Sequence, residues 1–131
     1  MICTRIKVVS AAVLTAVLFF AGCSTVPKEI PEDLSASELT VLAQEQTDKG
    51  NNRGAEVYYQ TIIDRYEYDA SARIAAEFEI AHIKVKQRRW DEASQRLQAL
   101  IAQYGTDTSM SLPPEYLKLA EIDLAKVPAG G

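Results

Sequence analysis

AEVYYQTIIDRY (residues 55–66) and ASQRLQALIAQY (residues 93–104) are two versions of one pattern, offset by 38 residues. Both stretches begin with alanine, end with tyrosine and carry apolar side chains at the same inner positions. The matching pairs are Ala55 and Ala93, Tyr59 and Leu97, Ile62 and Leu100, Ile63 and Ile101, and Tyr66 and Tyr104. A fixed period of this size indicates supersecondary units that stack on one another.

Each stretch is preceded by a second matching half. The upstream matches are Leu42-Ala43 with Ile80-Ala81 at the same offset, and Leu119-Ala120 a further 39 residues on. Apolar residues recur at spacings of three, four and seven in both halves, which is typical of helices that bury one face. The small alanines allow two helix backbones to approach closely. The sequence therefore predicts an all-α fold, a short α-solenoid of two helix hairpins and a closing helix.

The predicted helices cover about residues 35–49, 53–66, 70–88, 90–104 and 113–126. Ser35 and Glu38 form a capping-box pattern at the start of the first helix. Gly105 is expected to stop the fourth helix, and Pro113-Pro114 to open the fifth.

These units resemble the tetratricopeptide repeat. The resemblance rests on Leu39, Leu42, Ala43, Ala55, Tyr59 and Ile62 in the first unit, and on Ile80, Ala81, Trp90, Ala93, Leu97 and Leu100 in the second. It covers residues 35–126, which form the predicted repeat domain. In that family the first helix of each pair lines a concave groove that binds an extended peptide or a partner helix. The resemblance places Thr40, Gln44, Thr47, Phe78, His82, Val85, Leu117 and Glu121 in this partner-binding groove. The alternative for Phe78 is a core position, and for His82 a solvated one.

The N-terminus has the features of a secretory signal peptide. Arg5 and Lys7 precede an uncharged stretch at residues 8–20, which ends in small residues. Phe20-Ala21-Gly22-Cys23 then resembles a bacterial lipobox. That resemblance implies a lipoprotein signal peptide at residues 1–22 and acylation of Cys23, by palmitate among other chains. Ser24, which is not Asp, implies delivery to the outer membrane, facing the periplasm. The alternatives are an ordinary cleaved signal peptide and an uncleaved anchor. Residues 23–34 are predicted to be a lipidated tether, and residues 127–131 a disordered tail.

Charge and composition argue against several other functions. The chain has 14 basic and 18 acidic residues, and removal of Arg5 and Lys7 would leave 12 and 18, a net charge of about −6. Such an acidic chain lacks the basic footprint of nucleic-acid binding. His82 is the only histidine, and a lone histidine makes a poor metal site. Glu77 and Glu79 are two residues apart on one helix and point in different directions. No catalytic set, metal site or cofactor is therefore expected.

A run of basic residues closes the third predicted helix. It comprises Lys84, Lys86, Arg88 and Arg89. Basic side chains at this position complement the helix dipole. The alternative is contact with anionic lipid headgroups or an acidic partner.

Together these features predict a lipid-anchored scaffold of the bacterial envelope that binds other envelope proteins. The lipidated repeat domain resembles the outer-membrane assembly lipoproteins that support β-barrel insertion, which implies a role in assembling outer-membrane complexes. The alternative is an accessory subunit of a periplasmic transport system or of a cell-wall enzyme complex. The end faces of short solenoids tend to pair, so a homo-oligomer is a further expectation.

Overall fold

The computed structural model describes residues 25–109 and 111–129. They form five helices: α1 (Ala36–Asp48), α2 (Asn52–Arg65), α3 (Ala70–Lys86), α4 (Trp90–Thr106) and α5 (Pro114–Leu124). This part of the chain contains no strand, and the predicted all-α class is confirmed. None of the helices formed by residues 25–109 and 111–129 is long and apolar enough to cross a membrane.

Side chains next to the helices set where the first three begin. The Ser35 hydroxyl accepts from the Glu38 N–H at 3.3 Å, and the Glu38 carboxylate accepts from the Ser35 N–H at 2.9 Å. This reciprocal pair confirms the predicted capping box. Asn51 and Asp69 cap α2 and α3 by a single bond, each accepting from a backbone N–H three residues on.

The prediction that Gly105 stops the fourth helix is wrong, because α4 continues to Thr106. Asp107 sets the end instead. Its carboxylate oxygens accept from the backbone N–H groups of Ser109, Ser111 and Leu112 at 3.0–3.2 Å. A chain that turns back on this carboxylate cannot continue as a helix. Hydrogen bonds, first of all from the Ser109 side chain, lower the pKa of Asp107.

Two apolar clusters make up the core of the described fold. The first cluster joins α1, α2 and one side of α3, and it contains Leu39, Ala43, Ala55, Tyr59, Ile62, Ala76, Ile80 and Ile83. The second cluster joins the other side of α3 to α4 and α5, and it contains Ile74, Phe78, Ala81, Val85, Ala93, Leu97, Leu100 and Ala120. Helix α3 is therefore packed on both sides, which makes it the centre of the stack. The four repeat-matched alanines are fully buried where helices meet.

Helix α5 is packed on one side only. Tyr116, Ala120, Leu124 and Val127 contact the second cluster, and their spacing of four, four and three is that of a single buried stripe. Leu119 is 40% exposed. The matched alanines Ala81 and Ala120 are both fully buried, but Leu119 is much more exposed than Ile80. Ile80 is covered by the first hairpin, whereas the corresponding side of α5 has no helix against it in residues 25–109 and 111–129.

The matched tyrosines Tyr66 and Tyr104 have matching roles. The Tyr66 hydroxyl donates to the Leu34 carbonyl, and the Tyr104 hydroxyl donates to the Pro113 carbonyl, both at 2.6 Å. Each tyrosine thus lies at the end of a second helix and fixes the segment that leads into a first helix. The repeat in sequence corresponds to a repeated tertiary contact.

Residues 25–34, which we call the N-terminal strap, lie against the first hairpin. Ile30 and Leu34 pack on the first cluster, and the Arg65 guanidinium donates to the carbonyls of Ile30 and Pro31 at 2.9 and 2.6 Å. Residues 25–34 of the predicted tether therefore pack on the helical domain. At the other end of the chain, Val127 packs on the second cluster, so the predicted disordered tail does not include this residue.

Candidate functional site on the α3–α5 face

The predicted groove residues do not form one continuous surface. Phe78 and Val85 are only 6% and 7% exposed and belong to the second cluster. The prediction that they face an open groove is therefore wrong, and the alternative core position holds for Phe78. Helix α5 covers Phe78, because Tyr116 lies beside the Phe78 ring with 5.7 Å between ring centroids.

The groove positions predicted on α1 contribute little to a polar surface. The hydroxyls of Thr40 and Thr47 donate to carbonyls of their own helix, at 2.8 and 3.1 Å. Gln44 is exposed and remains available to a partner.

On α5, the structure places Asp123 opposite His82, where the sequence predicted Leu117 and Glu121. The Nδ1 of His82 lies 2.5 Å from an Asp123 carboxylate oxygen. An ionised carboxylate can only accept, so Nδ1 carries the hydrogen of this bond. Leu117 and Glu121 lie four residues apart from each other and on a different side of α5. Those two assignments are therefore corrected.

His82 and Asp123 are held in place by their neighbours. The His82 ring stacks on Phe78, with 5.6 Å between centroids and 23° between planes. Lys126 donates to the second Asp123 oxygen at 2.6 Å. Asp123 is almost fully buried, so these two bonds satisfy a carboxylate that would otherwise be costly to bury. The contact joins α3 to α5 by a buried polar interaction.

The two carboxylates of this region have opposite pKa shifts. Burial alone would raise the pKa of Asp123, but hydrogen bonds from Lys126 and His82 outweigh burial and lower it. Burial raises the pKa of Glu79, and the charges of His82 and Lys86 only partly oppose this effect. Glu79 has no hydrogen-bond partner within the described part of the chain, so its oxygens are available as acceptors.

Apolar side chains lie next to these polar groups on α5. Leu119 is four residues before Asp123, and Ile122 is four residues before Lys126, so they share one side of the helix. Ile122 is 47% exposed. We call the surface formed by Glu79, His82, Leu119, Ile122 and Lys126 the α3–α5 face. It combines a hydrogen-bond acceptor, a cation and two exposed aliphatic side chains.

The contribution of Asp123 to stability is expected to depend on pH. Its folded pKa lies below the ordinary value of 3.8, so the ionised carboxylate stabilises the fold above that pH. This stabilisation is lost as the pH falls through the lower, folded pKa. We expect Asp123→Asn to lower the free energy of unfolding by about 2 kcal/mol at neutral pH, and by less below pH 3.8. Urea unfolding at several pH values measures this difference. The exposed neighbour variant Glu121→Gln should change little, and a difference for Asp123→Asn that does not vary with pH would contradict the assignment.

The sequence contains one signal for Asp123. An acidic residue within the apolar stripe of Tyr116, Ala120, Leu124 and Val127 needs a buried partner. Lys126, Leu119 and Ile122 were missed as well, because the resemblance assigned Leu117 and Glu121 to the groove on this helix.

The predicted basic patch is split by the fold. Lys84 is 3% exposed, and its ammonium donates to Glu56 at 2.6 Å, with Glu92 at 3.8 Å. Lys84 is therefore a buried residue between α2 and α4, and its assignment to a surface patch is wrong. Lys86, Arg88 and Arg89 are exposed, and Arg89 pairs with Glu92 at 2.5 Å.

Within residues 25–109 and 111–129, no group of three His, Cys, Asp or Glu side chains is arranged to hold a metal ion. Cys23 and the predicted signal peptide lie outside the described residues.

Sequence comparison finds a relative of unknown activity. An uncharacterized protein of Treponema pallidum (strain Nichols) is 44% identical over 119 residues, which cover 89% of this chain and 48% of that protein. The chain thus spans about half the length of the relative it matches. No family model matches the chain, and no solved structure matches it.

Proposed function

We propose that this protein is a lipid-anchored scaffold of the bacterial envelope that binds other envelope proteins at its α3–α5 face. The observation that carries the proposal is the exposed pair Leu119 and Ile122 on the side of α5 that carries Asp123, together with the Glu79 carboxylate on α3, which has no hydrogen-bond partner within residues 25–109 and 111–129. Aliphatic side chains supply binding energy when a partner covers them. The half-buried Glu79 carboxylate would orient the partner, because it can accept a hydrogen bond from the partner without first breaking one within the protein.

This chemistry suits a protein segment, and an amphipathic helix of the partner fits it best. Such a helix lays apolar side chains into a surface between two helices and places polar ones at the rim. Here Leu119 and Ile122 would take the apolar contacts. Glu79 and Lys126 would take the polar ones. The α3–α5 face is less suited to a small molecule, because such ligands bind in concave sites that bury most of their surface.

The anchor is proposed from the lipobox resemblance at Cys23, and it places the protein at the outer membrane, facing the periplasm. Two or more acyl chains hold a protein stably on a membrane. Confinement to a surface raises the effective concentration of partners that share it. A scaffold with a modest contact surface therefore gains affinity for other envelope proteins. Assembly of an outer-membrane complex is the concrete form of this proposal.

Photo-crosslinking in living cells tests the binding surface. A photoreactive amino acid replaces Ile122 in one strain and Gln98, an exposed residue of α4, in a control strain. We expect a crosslinked envelope protein from position 122 and not from position 98. Crosslinks to transporter or cell-wall enzyme subunits would favour the accessory role, and crosslinks to a second copy would show self-association. Equal labelling at both positions would contradict the proposal.

A double variant and mass spectrometry complete the test. Leu119→Ser with Ile122→Ser should lower partner capture about tenfold or more, while the fold persists because both side chains are exposed. Leu117→Ser with Glu121→Ser, on the other side of α5, is the matched control. Mass spectrometry of the N-terminus reports acylation of Cys23, and an unmodified cysteine would exclude the lipid anchor.

A further inference from the structure

The N-terminal strap determines where the chain reaches the folded domain. The Thr25 carbonyl accepts from the Asn51 side chain at the start of α2, and the Ile30 and Pro31 carbonyls accept from Arg65 at its last residue. Seven residues of strap therefore run the length of a 14-residue helix. An extended chain rises about 3.3 Å per residue and a helix about 1.5 Å, so both lengths are about 21–23 Å. The strap is therefore held at both ends of α2.

This geometry ties the anchor to one end of the stack. Cys23 is two residues before Thr25, and two residues span at most about 7 Å. A lipid on Cys23 would thus be held close to the start of α2. Successive helices run in opposite directions, so the α1–α2 turn, the α3–α4 turn and the end of α5 lie at this same end. We call residues 48–53, 86–91 and 124–127 the basic end, and residues 31–36, 64–70 and 107–115 the acidic end.

The two ends differ in charge. The exposed basic residues at the basic end are Lys49, Arg53, Lys86, Arg88, Arg89 and Lys126. Asp48 and Asp91 are the exposed acids there. Arg53, Lys86 and Arg88 have no ion-pair partner among the described residues, so they are available to an outside anion. The acidic residues of the acidic end are Glu32, Asp33, Asp64, Glu67, Asp69, Asp107 and Glu115. Its Arg65 is engaged with the strap.

Trp90, the only tryptophan of the chain, also lies at the basic end. It lines an open depression of about 370 Å³ together with Arg88 and Arg89 and with the acids Asp91 and Glu92. Arg89 pairs with Glu92 there, so Arg88 is the cation of this depression that has no ion-pair partner among the described residues. Tryptophan is enriched at the level of lipid headgroups, where its ring meets both apolar and polar surroundings.

We propose that the basic end rests on anionic phospholipid headgroups, so that the helices stand upright on the membrane with the acidic end pointing away. Basic residues near an anionic leaflet are attracted, and the acidic end is repelled by the same field. In this orientation the α3–α5 face opens sideways, parallel to the membrane. The inference rests on the lipid anchor of the proposed function and adds a membrane surface as a second contact.

Fluorescence of Trp90 tests the orientation. Full-length protein purified from membranes is reconstituted into vesicles of phosphatidylcholine, with or without phosphatidylglycerol, that contain a lipid with a nitroxide on its headgroup. We expect strong quenching of Trp90 in the anionic vesicles and weaker quenching in the neutral ones. The matched control, Trp90→Phe with Tyr68→Trp, moves the fluorophore to the acidic end, about 25 Å away along α3. It should stay unquenched.

Charge variants identify the contact. Lys86→Gln with Arg88→Gln should lower the ratio of headgroup-bound to detached domain about fivefold for each charge removed. Arg96→Gln with Lys118→Gln makes the same change in net charge away from the basic end and should have little effect. Arg65→Gln releases the strap and should weaken the difference between the two tryptophan positions.

Equal quenching of the two tryptophan positions, or an unquenched Trp90 in anionic vesicles, would overturn the inference. Mass spectrometry of the same preparation reports whether Cys23 is acylated. Failure of the anchor and failure of the orientation are therefore separate results.

Discussion

Glu56→Ala is expected to lower the free energy of unfolding by about 3 kcal/mol, the low end for a broken buried ion pair. Glu56 is the near partner of the Lys84 ammonium, at 2.6 Å, and only 4% of the Lys84 side chain is exposed. Without Glu56, the ammonium keeps a single carboxylate, Glu92, at 3.8 Å. A buried charge that has lost its near partner is costly, and Glu92 offsets only part of the cost.

Substitution of the other member of the pair, Lys84, is expected to have a smaller effect on stability. Lys84→Met removes the buried charge and leaves Glu56, whose side chain is partly exposed and can be hydrated. Stability should then change by less than about 1 kcal/mol. Urea unfolding followed by far-UV circular dichroism measures both variants. If Lys84→Met were as damaging as Glu56→Ala, the pair would matter through its mutual attraction and not through the burial of Lys84.

Leu97→Ala is expected to cost about 2–5 kcal/mol, because it leaves a cavity in the middle of the second cluster. Leu97 is fully buried on α4, where that helix packs between α3 and α5. A loss of this size is a large share of the stability of a small domain. Val41→Ala provides the control, since Val41 is 52% exposed and should change stability by less than about 0.5 kcal/mol.

The same experiment tests whether the two clusters unfold together. Trp90 packs on the second cluster, whereas circular dichroism reports all five helices. Helix α3 contributes residues to both clusters, so we expect coincident transitions by both probes. Leu39→Ala, in the first cluster, should therefore shift the Trp90 transition as well. A shift seen by circular dichroism alone would show that the first hairpin unfolds separately.

The corrected assignments have a common physical cause. The sequence predicts which residues share a side of one helix, because that follows from 3.6 residues per turn. It does not predict how far a helix is rotated about its axis against its neighbours. Phe78 was assigned to an open groove and lies in the core. Lys84 was assigned to the surface and lies buried against Glu56.

The residues of the α3–α5 face could not be predicted from the sequence for the same reason. His82 was assigned to the groove from the resemblance to the tetratricopeptide repeat. Its partner Asp123 is 41 residues away, and no motif links the two positions. By the spacing of the tetratricopeptide repeat, Glu121 and not Asp123 was assigned to the groove. Only the packing of α5 on α3 distinguishes the two acids, because it turns one toward His82 and leaves the other exposed.

The amino-acid sequence was enough to predict the five helices of residues 25–109 and 111–129, the two matched hairpins, the close-packed alanines and the capping box at Ser35. Each of these depends on contacts within one helix or on a short repeated pattern, so local physics is sufficient. Helix packing, by contrast, sets the path of the N-terminal strap, the His82–Asp123 contact, the burial of Lys84 and the charge difference between the two ends. These features join residues that are distant in sequence, and they depend on how one helix is oriented against another.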